Sequence, residues 1–394
     1  MRLFLLHRDR QRHGDGSESV REHVHTGGRA RKGRTQRCGR GRSGHVGSGR
    51  AVSQLVHGLD DLNQELRLWT DLSPNLQREE LPHVPKEFVI FAGTANPELA
   101  VAIAADLGVV PGACAIERFP DGETSIQLQE SVRRKEVFLV QPLSPPANEH
   151  LVELLALADA CRRAAAARIT AVVPYLGYAR SDKRHGRREP IMGRMVADVL
   201  EAVGVHHLVT VDLHAPQIEG FFGIPVDALT AVPRLSTYLS EDLSPGIVVV
   251  APDAGALRMA SEYAHRLNGT VAVLHKRRES GTGTRVTHLV GDVAGKTCLI
   301  VDDMISTGGT LASAIEVLLK AGARPELTIA VTHGLLLTGA RQKLMHEAVK
   351  KVVITDTVAG APKDWPRLQS ISIAPVIAGA LKRLVEHRSL GDLY

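Results

Sequence analysis

Two adjacent carboxylates, three hydroxyl side chains and two glycines fall within ten residues, Val301-Asp302-Asp303-Met304-Ile305-Ser306-Thr307-Gly308-Gly309-Thr310. An apolar run from Cys298 to Val301 reads as a buried strand, and a helical pattern follows from Thr310 to Ala321. In an open parallel sheet, ligands bind beyond the carboxyl ends of the strands. Asp302 and Asp303, expected to leave that strand, offer acceptors for the 2- and 3-hydroxyls of a ribose or for a metal-bound diol. Ser306 to Thr310 then wraps into a helix start, where free backbone N–H groups and the helix dipole favour a phosphate dianion. Gly308 and Gly309 permit close backbone approach, and Thr307 and Thr310 add hydroxyl donors. The parts suit a sugar phosphate. The plain alternative is a strand–turn–helix with an N-capping threonine and solvated acids.

Other charged or polar groups also follow apolar runs. Arg180, Asp182 and Lys183 come after the strand Ile169–Val173, and on their own would be a solvated charged loop. His214 follows Leu208–Val211, and Asp253 follows Ile247–Ala251. A histidine in such a place can equally be a hydrogen-bonded strand end. Lys276 and Arg278 are expected just past the strand Val271–Leu274, leading into the Gly-rich stretch Glu279-Ser-Gly-Thr-Gly-Thr284. The plain reading there is a basic strand end with a loose hairpin. Phe119-Pro-Asp-Gly-Glu123 reads as a hairpin turn, since Pro-Asp-Gly presets turn geometry.

The elements that must position these groups alternate between strand and helix from Glu87 onward. Strands are also predicted at Phe88–Phe91, Val137–Gln141, Leu327–Val331 and Val352–Thr355. Helices are predicted at Pro97–Leu107, His150–Ala167 and Gly255–Leu267, with Gly204 and Gly322 as helix stops. Repeated βα units imply parallel sheets with right-handed crossovers, an α/β fold. The number of units exceeds one comfortable open sheet. Two α/β domains are therefore expected, residues 84–229 and 230–370, with a boundary near Pro225 and Pro233.

Composition narrows the classes. Of 394 residues, 44% are hydrophobic and 4% aromatic, a mixture suited to parallel strands under helices. The net charge of +5 suggests nucleic-acid binding until its distribution is examined. Residues 1–50 hold 13 Lys/Arg against 4 Asp/Glu, leaving 35 against 39 in the other 344. The body is mildly acidic, and no nucleic-acid partner is expected. Residues 1–83 read as a disordered extension, with at most a short helix at Ala51 to Leu59. An RNA-binding arm or a start site assigned too far upstream are the readings for that stretch. Cys38, Cys114, Cys161 and Cys298 form no CxxC pair, which fits a reducing cytoplasm rather than a disulfide framework. No apolar run approaches the roughly 20 residues that span a bilayer, so no membrane partner is expected.

Val301–Thr310 resembles the phosphoribosyl-pyrophosphate motif shared by type I phosphoribosyltransferases and ribose-phosphate pyrophosphokinases. Over roughly residues 87–394 the chain resembles the pyrophosphokinases. The matching stretches are Phe119–Glu123, Pro174-Tyr-Leu-Gly-Tyr-Ala-Arg-Ser-Asp-Lys183, Asp212-Leu-His-Ala-Pro-Gln-Ile-Glu-Gly-Phe-Phe222, Lys276-Arg-Arg278 and Gly291-Asp-Val-Ala-Gly295. The resemblance implies two similar phosphoribosyltransferase type I-like domains, with segment 371–394 returning to the first. It implies MgATP and ribose 5-phosphate as substrates, Mg2+ as cofactor, and a homo-oligomer, a hexamer in the family.

The same resemblance assigns roles. Phe119, Asp121, Gly122 and Glu123 would meet the adenine of ATP held by a neighbouring subunit, and Arg180, Ser181, Asp182 and Lys183 would meet ATP. His214 and Asp253 match magnesium-associated positions. Magnesium prefers oxygen ligands, which makes Asp253 the better candidate of the two. Lys276 and Arg278 would be catalytic. Ribose 5-phosphate would fall to Arg278, Asp302, Asp303, Ser306, Thr307, Gly308, Gly309 and Thr310. Three places depart from the family pattern: Ser181 stands where many members have glutamine, Ser306 where many have aspartate, and Arg184–Glu189 differs from the segment tied to phosphate activation and ADP inhibition. The rivals are a transferase that consumes phosphoribosyl pyrophosphate and a non-catalytic pyrophosphokinase-like subunit.

Overall fold

The computed structural model describes residues 87–184, 186–243, 245–279, 283–391 and 393; for 276–279 and 283–287 it describes the backbone alone. The expected extension 1–83 and its short helix lie outside the described residues.

The chain opens with strand β1 (Phe88–Ala92) and helix α1 (Pro97–Asp106), then a hairpin of β2 (Cys114–Arg118) and β3 (Thr124–Leu128). It continues through β4 (Glu136–Val140), α2 (Ala147–Arg163), β5 (Arg168–Val173), α3 (Met192–Val203), β6 (His207–Val211), a 3₁₀ turn (Pro216–Phe221) and β7 (Val226–Leu229). The order β1-β4-β5-β6-β7 forms a wholly parallel five-stranded sheet. Each of its strands is apolar because helices cover both faces. Phe138, Leu139 and Val140 have no exposed surface, and neither do Leu154, Leu157, Val196 and Leu200 from the helices.

Helix α4 (Val232–Ser240) leads to β8 (Val248–Ala251), α5 (Leu257–Arg266), β9 (Thr270–Glu279), β10 (Gly283–Val290) and β11 (Cys298–Ile305). Then come α6 (Gly309–Lys320), β12 (Leu327–Gly334), α7 (Ala340–Leu344), β13 (Val349–Thr355), β14 (Leu368–Ile371) and α8 (Ala374–Val385). The second sheet runs β10-β9-β8-β11-β12-β13-β14, with only β10 antiparallel to its neighbour. Helix α8 shares a buried cluster with α1, through Ile377 and Leu381 with Leu99 and Ile103. Asn96 Nδ2 donates to the Asp356 carbonyl at 2.7 Å, and the Asp356 carboxylate accepts from Ile373 N at 2.7 Å.

Three expected boundaries move. The helix expected over 150–167 begins at Ala147 and stops at Arg163, because Ala165 turns into the left-handed region at φ 61°. Lys276 and Arg278 belong to β9 rather than lying past it, since β10 folds back and pairs Val286 with Lys276 and Thr284 with Arg278. Asp302 and Asp303 likewise stay within β11. Its pairing with β8 ends at Ile300, yet β12 continues to pair with it as far as Ile305 opposite Gly334.

Candidate active site

β6, β8 and β11 end on a common cleft of about 660 Å³. It is lined by Arg180, Asp182 and Lys183 from the segment after β5, His214 after β6 and Asp253 after β8. Asp302, Asp303 and Ser306–Thr310 complete it from β11 and the start of α6. Residues from 180 to 310 thus converge on one place, as ligand groups do beyond the carboxyl ends of parallel strands.

The phosphate-type loop is built from behind. Gly308 caps α6 with φ 72°, a conformation that L residues adopt at a cost. Leu336 N and Leu337 N donate to the carbonyls of Ile305 and Ser306, both at 3.0 Å, and Lys343 Nζ donates to the Thr307 carbonyl at 3.0 Å. A Cβ on Gly308 would stand 3.3 Å from the Ala340 carbonyl oxygen and 3.4 Å from Leu344 Cγ. Gly308→Ala is therefore expected to displace the loop at a cost of about 1–2 kcal/mol, roughly a tenfold rise in the KM for a phosphate-bearing substrate. Steady-state kinetics with the second substrate saturating would check it.

Electrostatics divide the two aspartates. His214 Nδ1 lies 2.8 Å from Asp303 Oδ2. That hydrogen bond raises the His214 pKa above the ordinary imidazole value, against the opposing effect of burial. Burial also works against ionising Asp303, but the bond and charge of His214 hold its carboxyl below the usual range. Asp302 goes the other way: burial first, then the charge of Asp303, push it well above the carboxylate range. Asp303 is thus the more acidic of the two and Asp302 the readier to hold a proton.

Among the described residues no three His, Cys, Asp or Glu side chains converge as a ready metal cage. Asp253, Asp302 and Asp303 nevertheless supply oxygen donors in one cleft, and Asp253 adds to the upward push on Asp302. This donor set fits Mg2+, which is commonly held by one or two carboxylates plus waters and substrate phosphates. His214 turns Nδ1 to Asp303.

Other predicted residues fall elsewhere. Phe119, Asp121, Gly122 and Glu123 form the β2–β3 turn, with Gly122 at φ 92° and Glu123 N donating to Asp121 Oδ1 at 3.0 Å. The Phe119 ring is 50% exposed and does not line the cleft. Ser181 lines a neighbouring cavity of about 630 Å³, and its Oγ accepts from Met192 N at the start of α3 at 3.1 Å. Arg180 lines both cavities. The backbone of Lys276 and Arg278 is in β9, and their side chains lie outside what is described.

Sequence reasoning missed three contributors. Arg258, from α5, brings a further cation to the cleft wall. Gln217 lines the cleft and donates from its side-chain amide to Asp182. Lys343 braces the loop from outside. Only Gln217 lay in a stretch singled out beforehand, because the other two depend on contacts that no local pattern encodes.

A twice-repeated parallel α/β architecture, with a sugar-phosphate-type loop on its second sheet, defines a phosphoribosyl-type protein. Two family models match the chain: the N-terminal domain of ribose phosphate pyrophosphokinase over residues 88–204, and the phosphoribosyl transferase domain over residues 227–368. A ribose-phosphate pyrophosphokinase of Caldanaerobacter subterraneus subsp. tengcongensis is 43% identical over 307 residues, 77% of this chain and 97% of that protein. Ribose-phosphate pyrophosphokinase A of Dictyostelium discoideum is 42% identical over 308 residues, with the same shares of 77% and 97%. The crystal structure of phosphoribosylpyrophosphate synthetase from Mycobacterium smegmatis superposes with a TM-score of 0.72 at 41% identity, covering 77% of this chain and all of that one. The chain belongs to the ribose-phosphate pyrophosphokinase family.

Proposed function

We propose that the protein transfers the pyrophosphoryl group of MgATP to the 1-hydroxyl of ribose 5-phosphate, giving 5-phosphoribosyl 1-pyrophosphate and AMP for nucleotide biosynthesis. One observation carries the reading: a single cleft holds the loop Asp302–Thr310 opposite Arg180, Lys183, His214 and Asp253. A transferase that only consumes the product should lack the Phe119–Glu123 loop and the Lys276–Arg278 pair, and both are present in this chain.

Ser306–Thr310 and the N-terminus of α6 bind the 5-phosphate, while Asp302 and Asp303 take the ribose hydroxyls. Arg180, Asp182 and Lys183 bind the phosphates of ATP, with Ser181 beside them. Phe119, Asp121, Gly122 and Glu123 of a second copy of the chain cover its adenine, which makes the homo-oligomer, a hexamer, part of the site. The exposure of the Phe119 ring supports this placement. Asp253, with His214 beside it, would hold Mg2+, which would supply neutralising charge to the phosphates of ATP. The 1-hydroxyl attacks the β-phosphorus in line as the bond to the α-phosphate oxygen breaks. Lys276 and Arg278 stabilise the transferring group, where phosphoryl-type catalysis is chiefly positioning and charge. Ser306 leaves the loop with Asp302 and Asp303 as its only carboxylates, so the loop orients the sugar and the β9–β10 hairpin promotes transfer.

We assign residues 84–229 with 371–394 to one domain and 230–370 to the other; the packing of α8 on α1 supports the return. We place the protein in the cytoplasm. In support, no helix among the described residues is long and apolar enough to cross a membrane. Purified protein with MgATP and ribose 5-phosphate is expected to release AMP strictly dependent on the sugar phosphate. No AMP above background, with and without inorganic phosphate, would leave the chain a non-catalytic subunit.

A further inference from the structure

His214 owes its position to the turn that follows β6. Asp212 makes that turn with φ 38°, in the region unfavourable to non-glycine residues. Such a conformation persists where its surroundings over-determine it. Here part of the surroundings comes from the other sheet.

His333, on β12, is 2% exposed and does not line the cleft. Its Nε2 lies 3.1 Å from the Val211 carbonyl oxygen and 3.2 Å from that of Asp212. Carbonyls only accept, so Nε2 carries the hydrogen. Nδ1 is then the acceptor, and takes the hydroxyl proton of Thr357 at 2.9 Å. Around it, Thr355 Oγ1 donates to the Thr332 carbonyl at 2.7 Å and accepts from Thr357 N at 3.3 Å, and the Thr357 hydroxyl also reaches the Thr332 carbonyl at 3.2 Å. The ring is neutral with one tautomer fixed, in keeping with the burial that lowers its pKa.

Thr332, the preceding residue, donates its hydroxyl to Asp212 Oδ2 at 2.6 Å, and Ala231 N donates to the same oxygen at 3.0 Å. Consecutive residues of β12 thus grip both the backbone and the side chain of the Asp212 turn. In the β11–β12 register His333 stands opposite Met304, the residue after Asp303. The strand end that supplies His214 is thereby tied to the strand pair that carries Asp302 and Asp303.

We propose that His333 is a positioning residue: its neutral imidazole clamps the Asp212 turn and so sets the His214–Asp303 contact across the two sheets. The inference rests on the pyrophosphokinase reading of the cleft, and it gives the second sheet a direct hold on the geometry of the first.

A double-mutant cycle tests it, with kcat and both KM values measured alongside thermal unfolding. His333→Phe keeps a ring and removes the hydrogen bonds of both ring nitrogens, leaving the Val211 and Asp212 carbonyls short of a donor. It is expected to lower kcat about 30-fold, whereas His333→Gln, which restores a donor near Nε2, stays within about fivefold of the parent. In a His214→Ala background the same His333→Phe change is expected to cost less than about threefold, because the contact it serves is already gone. Equal losses in both backgrounds, or a kcat within about twofold of the parent, would overturn the proposal. If His333→Phe does not fold, Thr357→Val removes the hydroxyl that faces Nδ1, with its contacts to the Thr332 carbonyl and Thr355 Oγ1, and repeats the cycle at about threefold amplitude. A loss there that persists without His214 overturns the proposal equally. A crystal structure of ligand-free His333→Gln or Thr357→Val judges the clamp without activity. The His214 Nδ1–Asp303 Oδ2 separation should remain near 2.8 Å in the first and lengthen in the second. An inactive parent enzyme would count against the proposed function, and the separation would still decide this inference.

Discussion

Replacing Lys276 by alanine is expected to lower kcat by a factor on the order of 10²–10³, with ATP affinity within about threefold of the parent. Lys276 sits three residues beyond Val273, which is the partner of Ala251 at the end of β8. The backbone of β9 therefore runs on past the end of β8, the strand that delivers Asp253, before β10 returns. On the proposed mechanism a cation carried there would act on charge that develops on the transferring oxygens, and Arg180 and Lys183 would make the ground-state contacts to ATP. Loss of turnover without loss of binding is the signature of a group engaged in the transition state. Single-turnover rates and equilibrium ATP binding on one preparation would separate the two. Unchanged turnover would remove Lys276 from the mechanism.

Asp303→Ala has the second large expected effect. His214, 2.8 Å away, holds the Asp303 carboxyl below the usual carboxylate range. Alanine removes a charged acceptor for a sugar hydroxyl and releases the imidazole. Hydrogen bonds to charged groups are worth roughly 1.5–3 kcal/mol each. Losing the sugar contact and the His214 contact together should reduce kcat/KM for ribose 5-phosphate by about 10²–10⁴. The KM for MgATP should move far less. A second readout is independent of activity: the His214 pKa should fall back towards the ordinary imidazole value, because the largest cause of its rise is gone. Imidazole resonances followed through a pH titration would record the fall. An unaltered titration would mean that another group holds the histidine.

The two variants probe parts of the molecule that differed in how readable they were. The cores of β4, β5, β8 and β11 were plain in the sequence because parallel strands covered on both faces must be apolar along their length. The strand ends were not. Asp302, Asp303 and Met304 look like loop residues, yet they stay paired because β12 runs on opposite them through Thr332 and His333. Lys276-Arg277-Arg278 looked like an exit from a strand for the same reason, and the return of β10 keeps them in the sheet. Charged or hydroxyl side chains at a strand's carboxyl end mark ligand ground, and there the apolar pattern that reveals a strand gives way to chemistry.

The cleft itself was legible as a set of separate motifs, since each followed an apolar run. Their convergence was not, because it depends on contacts between residues more than a hundred apart, as with Thr332 and Asp212. Nor could local pattern show that Glu153, fully buried, accepts from Thr94 N and Thr94 Oγ1, both at 2.6 Å, and fixes the β1–α1 turn. Arg258 was hidden differently. It lies on a surface helix whose charged residues are otherwise ordinary, and only the fold shows which side faces the cleft.

The central claim is that two phosphorus atoms of ATP move together to the 1-oxygen of ribose 5-phosphate. The direct measurement uses ATP labelled separately at its β- and γ-phosphorus, with ribose 5-phosphate and Mg2+, and follows where each label goes. Both labels should appear together on the sugar as a pyrophosphate, with AMP formed in equal amount and neither label left on the nucleotide. Label on the sugar from the γ position alone, with ADP as the second product, or no transfer of either label, would contradict the account.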